Sequence, residues 1–91
     1  MDKRAILLEY VRKDLLPGST VDPGVTDDLL SEGLIDSLGV VKLVLFVEER
    51  LGIKIPDDDI IFENFQTIEA LAVYLERRED EARTAEAAMA R

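Results

Sequence analysis

Gly33-Leu34-Ile35-Asp36-Ser37-Leu38-Gly39-Val40-Val41-Lys42-Leu43-Val44-Leu45-Phe46-Val47-Glu48-Glu49-Arg50-Leu51-Gly52 spells out a helix with a start, a stop and more apolar surface than one buried face requires. Asp36 or Ser37 offers an N-cap oxygen and Gly52 a C-terminal cap, so the helix is expected from about Ser37 to Leu51. At about 100° per residue, Val40, Leu43, Val44, Val47 and Leu51 share one stripe, broad enough to be the core face. Leu38, Val41 and Leu45 fall nearly opposite, flanked by Lys42, Glu48 and Glu49. Either the helix is central and buried all round, or the second strip is an apolar docking face ringed by charge. The strip begins one residue after Ser37, at the mouth of the helix, which favours docking.

The flanking sequence builds a bundle around this helix. Asp2 to Leu16 reads as an amphipathic helix with Leu7, Leu8, Val11 and Leu15 on one stripe, ended by Pro17-Gly18. A long crossover follows to about Ile35, and its apolar residues Val21, Val25, Leu29, Leu30, Leu34 and Ile35 are expected to pin it to the core, with a short helical turn near Asp28 to Ser31. Ile53-Lys54-Ile55-Pro56 is extended, because a residue before proline avoids the helical region. Asp57-Asp58-Asp59 then opens a short helix through Ile60, Ile61 and Phe62, with acids where the helix dipole favours them. Thr67 caps a last helix that buries Ile68, Leu71, Ala72 and Leu75. Beyond Leu75 the stripe passes into Arg78, Glu79 and Ala82. The expected architecture is all-α: a four-helix bundle of three main helices plus one short helix, with a long first loop. Residues 1–78 form the domain and 79–91 a charged, alanine-rich extension, expected as a frayed helix or disordered.

Composition removes many functions. Among 91 residues there is no histidine, cysteine or tryptophan. A Ser-His-Asp triad, histidine-ligated metals, disulfides, thiolate nucleophiles and iron–sulfur clusters are therefore excluded. Twenty acidic against eleven basic residues, net −9, argue against nucleic-acid backbones and anionic lipid and for basic partners. No apolar run suits a membrane span and the N-terminus has no apolar signal core, so a cytoplasmic monomer is expected. Asp57, Asp58 and Asp59 do not make an EF-hand loop, since Ile61 takes the third acid position and the required glycine is missing. They read as a solvated helix start, as Asp27-Asp28 and Glu79-Asp80-Glu81 read as solvated surface.

Ser37 has no base to make it a nucleophile, and it lacks the glycine-flanked setting of a nucleophile elbow. Its ordinary role is helix capping. At a helix N-terminus it is also well placed to carry a phosphate-containing group. Here the sequence resembles a known family. Gly33-Leu34-Ile35-Asp36-Ser37-Leu38-Gly39 is similar to the attachment motif of acyl and peptidyl carrier proteins, whose core is Asp-Ser-Leu. Glu48-Glu49, Gly52-Ile53-Lys54-Ile55-Pro56-Asp57 and Thr67-Ile68-Glu69-Ala70-Leu71 extend the likeness, over about residues 4 to 76.

The resemblance implies a carrier rather than an enzyme. A phosphopantetheinyl transferase would move 4′-phosphopantetheine from coenzyme A onto the Ser37 hydroxyl, and the distal thiol would hold an acyl or aminoacyl group as a thioester. Tethering raises the cargo's effective concentration at each partner's active site. By the same resemblance Asp36 helps dock the transferase, and Leu38, Val41, Lys42, Leu45, Glu48 and Glu49 match the face read by partners: acyl- or aminoacyl-adenylating ligases and synthase or transferase enzymes. Carriers of fatty-acid synthesis usually show acids where this chain has Gly39 and Lys42. Ser-Leu-Gly and Glu63-Asn64-Phe65 look more like discrete carriers of specialised secondary-metabolite, aminoacyl or modified-lipid pathways. The general fatty-acid carrier remains the alternative subtype, and an unmodified acidic interaction module the alternative function.

Overall fold

Asp2 has an extended backbone and its carboxylate accepts the Arg4 N–H at 3.1 Å, so the first helix starts at the next residue. In the computed structural model, which describes residues 2–16, 18, 22–31 and 33–89, α1 spans Lys3–Tyr10 and widens into a π-helical turn over Val11–Leu15. α2 spans Ser37–Phe46 and ends in a similar turn, Val47–Leu51. Gly52 follows with φ 68°, a left-handed conformation that closes a helix at little cost only for glycine. α3 is the short helix Phe62–Phe65, and α4 runs from Ile68 to Met89. Every regular element among the described residues is helical, as expected. None of the helices is long and apolar enough to cross a membrane.

The expected stripes meet in one core. Leu7 and Val11 of α1, Leu43 and Val47 of α2 and its terminal turn, and Ile68, Leu71, Ala72 and Leu75 of α4 are buried, with Phe65 of α3 among them. Leu8, Leu15, Val40, Val44 and Leu51, expected on the same stripes, are half-buried against this core. Charge ties α1 to α4: the Arg4 guanidinium grips both carboxylate oxygens of Glu69, at 2.7 and 2.8 Å, and reaches Glu76 at 3.3 Å. Lys3 pairs with Glu79, and the Arg78 guanidinium donates to the Lys54 carbonyl at 3.3 Å. Polar contacts thus prolong the α4 interface beyond Leu75, where the apolar stripe stops.

The crossover is pinned, as its apolar residues suggested, but polar groups share the work. Leu29 and Ile35 are buried while Val25, Leu30 and Leu34 are half-buried. Pro17 and Val21 lie outside the described residues, as do Ala90 and Arg91 of the tail. Arg12 holds the incoming chain through Asp22 (2.6 Å) and the Pro23 carbonyl (3.0 Å). In place of the helical turn expected near Asp28, the Asp28 Oδ1 accepts the N–H groups of Leu30 and Ser31 at 2.9 and 2.7 Å, while Oδ2 accepts from the Gln66 amide at 2.8 Å. The Leu29 N–H donates to the Gln66 carbonyl at 2.7 Å and the Glu69 N–H to the Val25 carbonyl at 2.9 Å. Asp27 in turn accepts from the Gly24 N–H at 2.7 Å. Asp27 is exposed, as expected of solvated surface, but reading Asp28 that way was wrong, since it is half-buried: backbone N–H groups that the crossover cannot satisfy in a helix or sheet are taken up by its own carboxylates.

The helix expected from Asp57 through Phe62 is interrupted. Asp57–Asp59 form a 3₁₀ turn, Ile61 is extended, and α3 begins at Phe62. The reason lies at Asp59. Its carbonyl accepts from the Asn64 side-chain amide at 2.9 Å instead of a backbone N–H one turn on, and its carboxylate is held separately by the Tyr74 hydroxyl at 2.5 Å.

Hydrogen bonds to the ionised carboxylate, first from Gln66 and then from the Ser31 N–H, hold Asp28 at about 2, below its ordinary value. A carboxylate lowered on folding stabilises the fold above its unfolded pKa and loses that contribution as pH falls through the folded one. Urea midpoints followed by circular dichroism should therefore be level near neutrality and drop between pH 4 and 2. Asp28→Ala should lower the neutral midpoint and make that acid limb shallower.

Candidate functional site

Asp36 decides how α2 begins. With extended backbone, its Oδ1 accepts the Gly39 N–H at 2.9 Å while its carbonyl accepts the Val40 N–H at 3.0 Å. Ser37 is thus the first helical residue and Asp36 the cap. The Ser37 side chain is exposed, and among the described residues its hydroxyl and the N–H groups of Ser37 and Leu38 have no hydrogen-bond partner. Free N–H groups at the positive end of a helix stabilise an anion held there.

Gly39 explains how closely the crossover approaches. A Cβ at this buried position would lie 3.0 Å from the Ile35 Cβ, closer than carbon atoms pack without displacement. Glycine lets buried Ile35 press against the first turn of α2 and leaves Ser37 at the outer edge of the junction.

Leu38, Val41 and Leu45 are 60, 53 and 52% exposed, which removes the alternative of a helix buried all round. Lys42 and Glu49 are exposed beside them. Glu48 is half-buried and turned the other way, its carboxylate accepting the Ile55 N–H at 3.3 Å. It tethers the connector after α2 rather than standing free beside the strip. At the far edge of α2, Tyr10 and Phe46 stack with ring centroids 4.1 Å apart.

A second apolar surface adjoins Ser37. Ile60, Ile61 and Phe62 are 37, 47 and 45% exposed. With Leu30, Val40, Val41 and Phe65 they line an open cleft of about 330 Å³ that reaches Ser37. Helical periodicity missed it by assigning these residues to a helix. The available signal was three large apolar side chains in succession between Asp57-Asp58-Asp59 and Glu63, a run that no single buried helix face accommodates. Asp57 and Asp58 are exposed, as a solvated turn requires, but Asp59 is half-buried and engaged by Tyr74. Burial, reinforced by Asp59, pushes the Tyr74 phenol up to about 12.

A family model described as phosphopantetheine attachment site matches residues 6–75. The chain is 34% identical over 62 residues to an acyl carrier protein of Rhodococcus erythropolis, covering 68% of this chain and 62% of that protein. To an acyl carrier protein of Acidothermus cellulolyticus it is 40% identical over 55 residues, 58% of each. To the D-alanyl carrier protein 2 of Lactiplantibacillus plantarum it is 34% identical over 55 residues, 60% of this chain and 66% of that protein. The chain spans about three-fifths of the length of the first two relatives.

Removing the cap isolates its structural share. Asp36→Ala should cost about 1 kcal/mol in a urea titration, whereas Asp36→Asn, which keeps a capping oxygen, should stay within a few tenths of the parent.

Proposed function

Because the chain belongs to the phosphopantetheine attachment-site family, matched over residues 6–75, we propose that it is an acyl carrier protein modified with 4′-phosphopantetheine on Ser37. The observation that carries this reading is the position of Ser37: first residue of α2, exposed, its hydroxyl without a partner among the described residues. The residues around it suit the group. The N–H groups of Ser37 and Leu38 can face a phosphate, and the cleft bounded by Val41 and Ile61 gives an apolar path away from it. When bound, the group supplies the thiol this chain lacks, and on it an acyl or aminoacyl group is held as a thioester.

The chain's own residues present and orient. Asp36 caps with Oδ1, and its Oδ2, without a partner among the described residues, is available to the phosphopantetheinyl transferase. Leu38, Val41 and Leu45 offer apolar contact to synthases, transferases and adenylating ligases, with Lys42 and Glu49 setting the charge at the rim. Partners supply the catalysis, and the carrier works as a cytoplasmic monomer.

The specialised subtype is supported by the packing at Gly39. The acid usual there in fatty-acid-synthesis carriers would bring a Cβ to 3.0 Å from that of Ile35, so the glycine belongs to the way this crossover docks. Lys42 places a cation in the middle of the exposed strip. A role in general fatty-acid synthesis is the second reading, compatible with the Rhodococcus and Acidothermus relatives, named as acyl carrier proteins.

Incubation with coenzyme A and a broad-specificity phosphopantetheinyl transferase should add one phosphopantetheine mass to the intact chain and none to Ser37→Ala. No addition by a transferase active on a control carrier would leave the unmodified interaction module. For the subtype, the modified chain should be loaded by an aminoacyl- or acyl-adenylating ligase in preference to a fatty-acid malonyltransferase. Lys42→Glu should raise use by the malonyltransferase several-fold in kcat/KM.

A further inference from the structure

The segment 56–64 is held in an unusual way. No residue between Ile55 and Phe65 is buried, although three large apolar side chains lie within it. Its own hydrogen bonds are local: Asp59 N–H to the Pro56 carbonyl, Ile60 N–H to Asp57, Asn64 N–H to Ile61, and the Asn64 amide to Asp59. Among the described residues, the single hydrogen bond or ion pair joining this segment to another element is the one from the Tyr74 hydroxyl to Asp59, at 2.5 Å.

The two ends of that bond differ in rigidity. Tyr74 sits in the buried face of α4, between Leu71 and Leu75. Asp59 immediately precedes Ile60, Ile61 and Phe62, which line one side of the cleft reaching Ser37. α3, with four residues, is too short to hold its shape by helix formation alone. With little burial and one polar tie, the segment has the makings of a low-stability unit that opens without the rest of the fold.

We propose that the Tyr74–Asp59 hydrogen bond is a latch that keeps segment 56–64 seated along the cleft beside Ser37, making Tyr74 and Asp59 positioning residues for an apolar cargo. The cargo part rests on Ser37 being the attachment point. The latch itself does not, because it belongs to the unmodified chain. All named residues of the cleft other than Ser37 are hydrocarbon, so the group it shields is an alkyl chain rather than a polar aminoacyl group. Seating the segment places Ile60, Ile61 and Phe62 beside that chain, and releasing it exposes the chain to water and to partner enzymes.

Amide hydrogen exchange on the unmodified protein tests the latch. Tyr74→Phe keeps the buried ring and removes the hydroxyl. Exchange across 57–64 should quicken about tenfold, in line with losing a hydrogen bond to a charged acceptor, while amides of 7–11 and 43–47 stay slow. Asp59→Ala should match Tyr74→Phe, Asp59→Asn, which still accepts, should stay near the parent, and the Tyr74→Phe/Asp59→Ala pair should be no faster than either alone. Unchanged exchange at 57–64, or equal acceleration in α1 and α2, overturns the latch. On the loaded protein, Tyr74→Phe should speed hydrolysis of an octanoyl thioester several-fold and leave an acetyl thioester unaltered; equal effects on both overturn the positioning role. Failure of Ser37 to accept the arm overturns the carrier reading, and the exchange measurements then decide the latch alone.

Discussion

Asp28 is the tie on which the arrangement of the bundle depends. One carboxylate oxygen closes the turn at Leu30 and Ser31, and the other reaches Gln66, between α3 and α4. The long crossover is thereby fastened to the far side of the core before it returns to α2. Leu29 and Ile35 can then be buried on either side of that turn, joined by the Ile35 N–H to Leu29 carbonyl bond at 2.9 Å. Ile35 in turn sets where Asp36 caps and where Ser37 emerges. The chain from Asp28 to Ser37 forms one mechanical path, with polar ties at its ends and two buried apolar residues between them.

The same economy runs through the surface. A chain of net −9 without histidine or cysteine brings neither imidazole nor thiol, and the proposed carrier role asks for neither. It needs a hydroxyl held in the open, a helix end that favours phosphate, and apolar surface that partners can read. Leu38, Val41 and Leu45 on one side of Ser37 and Ile60, Ile61 and Phe62 on the other supply that surface at a cost in solubility that the acidic residues around them offset. With Val73 of α4, these are the large apolar side chains left exposed among the described residues, and departures of that kind gather at functional sites.

Much of this was legible in the sequence because its determinants are local. Helical spacing identified Ile68, Leu71, Ala72 and Leu75 as buried in α4 though not Tyr74, and cap chemistry put the start of α2 at Asp36 or Ser37 and the close of its terminal turn at Gly52. The second apolar strip on α2 was readable by the same arithmetic. The misreadings concern acids. Asp28 and Asp59 look on paper like solvated charges and Glu48 like part of a docking rim, yet each accepts a hydrogen bond from another residue. A carboxylate's role depends on which donor comes within about 3 Å, and for Asp28 with Gln66 or Asp59 with Tyr74 that donor lies 38 and 15 residues away.

The sequence by itself therefore determined the three main helices, most of their buried residues, a start for α2 at Asp36 or Ser37, and the family motif around it. Each follows from residues within a few positions of one another, where spacing and capping act directly on the backbone. Only the tertiary structure decided that Leu38, Val41 and Leu45 remain exposed while Glu48 turns inward. It alone brought Ile60, Ile61 and Phe62 beside Val41 to form a cleft at Ser37, and it alone joined Asp59 to Tyr74. Those outcomes depend on how separate helices share a limited core: the side chains left without a place in it form the exposed apolar surface on either side of Ser37.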